Sequence, residues 1–272
     1  MRILIIGCGS IGSVLAKAVH DMPEVDRLYV TDKSRDYARH LVESLDKAEY
    51  VSSKNGNLCK ILSEVNLAVE AASQEAAKKY IPYVLENGVD VMVMSVGVFA
   101  DDEFRDRCFT LAKKHRSRIY VPSGAISGTD GLHAASTANI SEVHLITRKG
   151  PKGLQGAPGL VMRQIDVTKL TEPTVVFEGN ARDAAKLFPK NLNVAATISL
   201  LGVGFERTRV TIICDPHTER NSHTLEVKGD FGELRCESQN VPSPLNPSTS
   251  YLAALSAVAA IKRVLGNVWI GV

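Results

Sequence analysis

The sequence predicts an α/β protein in two parts, a doubly wound parallel sheet followed by a second α+β domain of mainly antiparallel sheet. Three observations predict it. Over the first 125 residues, short β-branched runs alternate with helical patterns, the habit of parallel strands joined by crossover helices. Beyond Pro122 strand-like segments follow one another through short turn-rich links, which favours antiparallel pairing. The 272 residues suffice for two modest domains, and 44% hydrophobic with 23% charged residues is ordinary globular composition. The domains are placed at 1–125 and 126–248, with a last helix at 249–265 packing back on the first.

In the first domain, Arg2 to Ile6, Arg27 to Thr31, Leu67 to Glu70, Asp90 to Met94 and Ser117 to Val121 read as buried strands. Ile11, Val14, Leu15 and Val19 face the sheet from the helix after the first strand. Ala77, Tyr80, Ile81, Val84 and Leu85 form another apolar helical face, stopped by Asn87-Gly88. Phe104, Cys108, Leu111 and Ala112 repeat the spacing. In the second domain, strands are expected at Val143 to Arg148, Gly159 to Met162, Thr174 to Glu178, Arg207 to Cys214, His223 to Val227 and Glu233 to Glu237. Helices are expected at Ala181 to Phe188 and Asn193 to Leu201, and a mobile loop at Gly150 to Gly159. Small residues at Ala253, Ala254, Ala257, Ala259 and Ala260 suit close packing of the last helix.

Gly7-Cys8-Gly9-Ser10-Ile11-Gly12 fits GxGxxG between a predicted strand and a predicted helix. In that context the first glycine allows the turn, the second admits a pyrophosphate, and the third lets helix and sheet approach, as in a Rossmann-type domain. The helix N-terminus then offers free N–H groups and partial positive charge to phosphates. Asp32 stands 20 residues after Gly12, where a carboxylate accepts hydrogen bonds from an adenosine ribose, which favours NAD. Lys33 and Arg35 follow it and leave NADP open. Ala71, Ala72 and Ser73, and the segment Ser95-Val96-Gly97, lie at the carboxyl edge of the sheet, where small side chains let a dinucleotide pass. Ser73 also suits a helix N-cap.

The segment from Asp215 to His223 concentrates the polar groups of the second domain. Strand alternation puts His223 on one face with Leu225 and Val227, in a core or in a pocket wall, and residue type alone favours the core. Asn193, at a helix start, suits either capping or contact with a carboxamide such as nicotinamide. Asn246-Pro247-Ser248-Thr249-Ser250 is read as opening the last helix, with N–H groups and hydroxyls suited to a carboxylate.

Taken with Pro122-Ser123-Gly124-Ala125-Ile126, these motifs in this order resemble the L-aspartate dehydrogenase family almost end to end. The resemblance implies NAD(P)-dependent oxidation of L-aspartate to iminoaspartate, giving oxaloacetate and ammonia or feeding NAD biosynthesis, and the reverse reductive amination, commonly in a homodimer. It assigns the catalytic role to His223 and cofactor contacts to Ala125 and Asn193. Asn221, Ser248 and Thr249 become candidates for substrate carboxylates. The family pattern commonly has lysine where this chain has Ser248. No cation is assigned to the second carboxylate, with Arg148, Arg163 and Arg209 all unplaced. The alternatives are another two-domain reductase, dihydrodipicolinate-reductase-like or homoserine-dehydrogenase-like, and a non-catalytic dinucleotide sensor.

A net charge of +2 gives no general attraction to nucleic acid or anionic lipid. The longest apolar stretch, Val91 to Ala100, is about half the ~20 residues a spanning helix needs. Five cysteines with no CxxC pair and no clustering with histidine suit a reducing compartment and offer no metal site. With Met1 to Ile6 running straight into Gly7, no signal peptide is read and a cytoplasmic location is expected.

Overall fold

In the computed structural model the described residues are 1–52, 57–189, 192–244 and 246–271. The chain divides into two compact units, the first made of Met1–Pro122 and Ala254–Trp269, the second containing Ser123–Ala253.

The first unit runs β1 (Arg2–Ile6), α1 (Ser10–His20), β2 (Arg27–Thr31), α2 (Arg35–Glu43), β3 (Ala48–Tyr50), α3 (Asn57–Leu62), β4 (Leu67–Glu70), α4 (Gln74–Glu86), β5 (Asp90–Val93), α5 (Asp102–His115) and β6 (Ile119–Tyr120). All pairs are parallel, and the strand order β3-β2-β1-β4-β5-β6 is that of a dinucleotide-binding doubly wound sheet. The apolar runs make this sheet because apolar side chains fill both covered faces: Ile3, Leu4 and Ile5 are fully buried. Caps delimit the helices. The Ser73 hydroxyl accepts from Ala76 N at 3.2 Å to start α4, and the Asp101 carboxylate accepts from Phe104 N at 3.2 Å to start α5. The short strand Ala48–Tyr50 was not among the predicted elements, because three residues with a central glutamate carry no apolar run.

The second unit runs α6 (Thr129–Ala135), β7 (Ile140–Lys149), α7 (Pro151–Leu154), α8 (Pro158–Met162), β8 (Thr174–Asn180), α9 (Ala181–Leu187), α10 (Asn193–Leu201), β9 (Thr208–Cys214), β10 (Asn221–Gly229), β11 (Gly232–Asn240), β12 (Pro242–Ser243) and β13 (Asn246–Ser250). Its main sheet has the order β11-β10-β7-β9-β8, with β7 and β9 parallel and the other neighbours antiparallel. The turn at Gly229-Asp230-Phe231-Gly232 closes the β10–β11 hairpin, with Gly229 opposite Gly232.

Three expectations are corrected. Gly159 to Met162 is not a strand but part of α8, and 150–159 is largely taken up by α7 and the start of α8, each opened by a proline at its first position. Proline fixes φ for a first helical turn, and four apolar residues are too few for periodicity to tell strand from helix. Residues 246–250 do not open the last helix. They form β13, antiparallel to β12, and the helix α11 spans Tyr251–Leu265. Its Ala257 and Ile261 are fully buried in the core of the first unit, in one cluster with Leu15, Val19 and Leu28.

Candidate active site

The first unit supplies a cleft shaped mainly by backbone. Gly7 holds φ +104°, and a Cβ there would lie 2.7 Å from the Ala71 carbonyl oxygen. A Cβ on Gly12 would lie 1.9 Å from the Gly7 carbonyl oxygen, so only glycine lets α1 start against β1. Gly9 differs: a Cβ there would meet nothing within 4 Å. The open side of Gly9 is the space a pyrophosphate needs, directly before the N-terminus of α1. The adjoining cleft, about 270 Å³, is lined by Gly7, Gly9, Asp32, Lys33 and the Ala71-Ala72-Ser73 turn, together with Tyr37 and Tyr80. Asp32 Oδ2 accepts from Cys8 N at 2.7 Å and Oδ1 from Ser34 N at 2.7 Å. Each oxygen keeps a further lone pair for a ribose hydroxyl. The residues present thus fit a nicotinamide dinucleotide.

Ile11 packs into the core of the unit, Ser10 takes the first position of α1, and the Arg35 guanidinium lies over the Tyr50 ring. Burial, then the Asp32 charge, pushes the Cys8 thiol up to about 12, which rules it out as a thiolate.

Beneath the turns of the cleft lies Glu70, fully buried. Its Oε1 accepts from Ala72 N at 2.9 Å and from the Ser95 hydroxyl at 2.9 Å, and its Oε2 accepts from Ser95 N at 3.0 Å. One carboxyl group therefore ties the turn after β4 to the turn after β5. Burial raises its pKa, and the hydrogen bonds oppose that shift.

In the second unit the site is made of side chains, and sheet register assembles it. On the buried face, Val227 pairs with Val143 and Leu225 with Leu145, and then His223 pairs with Thr147. On the other side His223 is opposite Ser238, and Asn221 is opposite Asn240. The face turns from apolar to polar at one end of three adjacent strands, where Thr147, Lys149, Asn221, His223, Ser238 and Asn240 are all buried. Such a group in a covered face needs mutual hydrogen bonds, and several are present. His223 Nδ1 and the Thr147 hydroxyl share a hydrogen bond of 3.0 Å. The Asn240 amide donates to the Ala125 carbonyl at 2.9 Å, and the Ser238 hydroxyl accepts from Ser127 N at 2.9 Å. These two bonds pin the Ala125 segment to the polar end of β11.

His223 is 2% exposed, and burial first, then the Lys149 charge, pushes its pKa down to about 3. It is a neutral imidazole at pH 7. Asn221 donates to the Ser250 hydroxyl at 3.4 Å, so β13 reaches this cluster through Ser250, whereas Thr249 is half-buried in the same strand. The Ser248 side chain lies outside the described residues. Asn193 is exposed at the first position of α10, a helix that packs on β9, α6 and α9. Asp215, held as a carboxylate by the Arg148 guanidinium at 2.8 Å, accepts from His217 N at 2.9 Å and shapes the turn before β10. Cys214 is a fully buried thiol whose pKa burial raises.

Reading the sequence missed Glu70, Thr147 and Lys149. For the last two the signal was present, since Val143, Leu145, Thr147 and Lys149 alternate onto the face that carries His223. Among the described residues no cluster of His, Cys, Asp or Glu is arranged to hold a metal, and no helix is long and apolar enough to cross a membrane.

A glycine-loop cleft on a doubly wound sheet, joined to a second unit with a buried neutral histidine, defines the class as a two-domain NAD(P)-dependent dehydrogenase. Residues 7–122 match the family model of the homoserine dehydrogenase NAD-binding domain, and residues 130–264 that of the aspartate dehydrogenase C-terminal domain. The chain is 48% identical to the L-aspartate dehydrogenase of Methanosarcina mazei, over 100% of this chain and 99% of that one. It is 39% identical to that of Nitrosopumilus maritimus, over 96% of each. The crystal structure of aspartate dehydrogenase from Thermotoga maritima matches with a TM-score of 0.78 at 32% identity, covering 100% of this chain and 99% of that one. This chain belongs to the L-aspartate dehydrogenase family, as its motifs implied. A hyperthermophilic archaeal homoserine dehydrogenase, at a TM-score of 0.58 and 14% identity, shares the fold alone.

Proposed function

We propose that this chain catalyses the NAD(P)-dependent oxidative deamination of L-aspartate to iminoaspartate, which water converts to oxaloacetate and ammonia, and the reverse reductive amination. The observation that carries this reading is His223, a buried neutral imidazole at the polar end of the second sheet, in a chain alike over its whole length to L-aspartate dehydrogenases.

The bound nicotinamide supplies a hydride acceptor for the substrate Cα–H. The chain's own residues do the rest. Gly7, Gly9 and Gly12 let the pyrophosphate approach the N-terminus of α1, with Ser10 at its first turn. Asp32 accepts from the ribose hydroxyls, and its negative charge disfavours a 2′-phosphate. Lys33 is the nearby cation that tolerates NADP. Ala71, Ala72 and Ser73 form the wall along which the dinucleotide passes, while Ala125 and Asn193 orient the nicotinamide. In the tautomer whose Nδ1–H donates to Thr147, the Nε2 lone pair of His223 takes a proton from the substrate ammonium or from the attacking water. Asn221 and Thr249 bind carboxylate, and Ser248 is assigned the same role.

The same reading places the enzyme in the cytoplasm as a homodimer and has it supply iminoaspartate for NAD biosynthesis. The test is steady-state reduction of NAD⁺ and NADP⁺ with L-aspartate beside a panel of other amino acids, followed by nicotinamide absorbance. Turnover on L-aspartate with NAD⁺ preferred is expected; turnover confined to another amino acid overturns the substrate assignment.

A further inference from the structure

Three arginines of the second unit have partners of their own. Arg148 pairs with Asp215 at 2.8 Å, Arg209 pairs with Glu178, and Arg163 donates to the Val176 carbonyl at 2.9 Å while lying over the Phe177 ring. Lys149 is placed differently. It ends β7 on the buried face, two residues beyond Thr147, in register with Cys214 of β9 and 5% exposed. Its stem runs beneath α7. A Cβ on Gly153 would lie 3.4 Å from Lys149 Cδ and 3.8 Å from Asn221 Oδ1, so the lysine stem and the Asn221 carboxamide converge on one point.

His223 feels this lysine, whose charge is the second cause holding the imidazole neutral. Burial pushes the Lys149 ammonium itself down to about 8, which leaves it charged at pH 7. A charge held in so dry a place costs free energy. L-Aspartate brings two carboxylates to a neutral base, and one cation among buried polar groups is what the second carboxylate needs.

We propose that Lys149 is the specificity-determining cation of this site, its ammonium pairing with a carboxylate of a dicarboxylic amino acid whose amine lies at His223, with Asn221 beside it. This rests on the dehydrogenase reading above. It explains how a chain with serine at 248 retains a cation for its substrate.

The test compares the native full chain with Lys149→Met, an apolar side chain of similar length that replaces a buried charge without leaving a void. Succinate, which carries two carboxylates and no amine, is titrated calorimetrically into each protein loaded with NAD⁺, beside L-aspartate kinetics. The variant is expected to bind succinate roughly 10- to 100-fold more weakly. Its KM for L-aspartate should rise by a similar factor, with NAD⁺ affinity unchanged. Lys149→Gln serves if the methionine variant melts early.

Equal succinate affinity in native and variant proteins, or none in the native protein, overturns the proposal. Lys149-dependent succinate binding without aspartate turnover upholds the carboxylate site and overturns the aspartate reading. Aspartate turnover with an unchanged KM in the variant does the reverse.

Discussion

The two units build their sites from different materials. The first uses backbone: two glycines cannot carry a Cβ, a third opens onto space, and a carboxylate ties the loop to the neighbouring strand. The second uses side chains on a buried face, brought together by the register of β11, β10 and β7. A backbone site is written in a few positions at fixed spacing and tolerates variation around them. A register site has no local signature, because residues 147, 223 and 238 become neighbours only once the strands pair.

The sharpest way to separate the two is His223→Ala. Turnover should fall about 10²- to 10⁴-fold while NADH affinity, measured by fluorescence titration, stays within about twofold. A loss of cofactor binding with turnover preserved would reverse the assignment. Next comes Gly12→Val, whose Cβ would lie 1.9 Å from the Gly7 carbonyl oxygen. It should cost about 3 kcal/mol or more in chemical denaturation and abolish cofactor binding. Gly9→Ala sharpens the contrast. Its methyl group meets nothing within 4 Å, so the melting temperature should hold while dinucleotide affinity drops roughly tenfold. Asp32→Asn should move the NADP⁺ to NAD⁺ preference by about tenfold, read as the ratio of kcat/KM values.

A further effect is a slope in pH. His223 has a folded pKa of about 3 against an ordinary value of 6.5. Between those values the unfolded chain holds a proton that the folded chain lacks. Stability therefore falls as pH drops from 6.5 toward 3. Lys149, about 8 against 10.5, makes stability rise between those pH values for the same reason. Denaturation of His223→Gln across the acid range should show a flatter slope than the native chain, and an identical slope would mean that other groups carry it.

Much of the first unit was legible for the reason just given. Arg2–Ile6, Arg27–Thr31 and Leu67–Glu70 match their predicted bounds, because strands buried on both faces read as unbroken apolar runs. The glycine loop and Asp32 were legible through spacing alone. In the second unit most strands were visible, whereas Pro151 and Pro158 open helices too short to show a period. The motif at 246–250 is rich in helix-capping residues, yet pairing with Pro242–Ser243 makes it a strand. Tertiary pairing there overrides a local preference. His223 was legible through resemblance alone, since its own alternation with Leu225 and Val227 fits a core strand. Its polar surroundings depend on partners 76 residues back at Thr147 and 15 residues on at Ser238.

The route of the chain has a consequence for synthesis. Ala257 and Ile261 close the core that Leu15, Val19 and Leu28 begin, so the unit whose strands emerge first from the ribosome is completed last. Until α11 is made, those apolar side chains have no cover, and a nascent or truncated chain presents them to chaperones or to aggregation. The five-stranded sheet of the second unit is complete by Asn240, so its strands can pair while the older half waits.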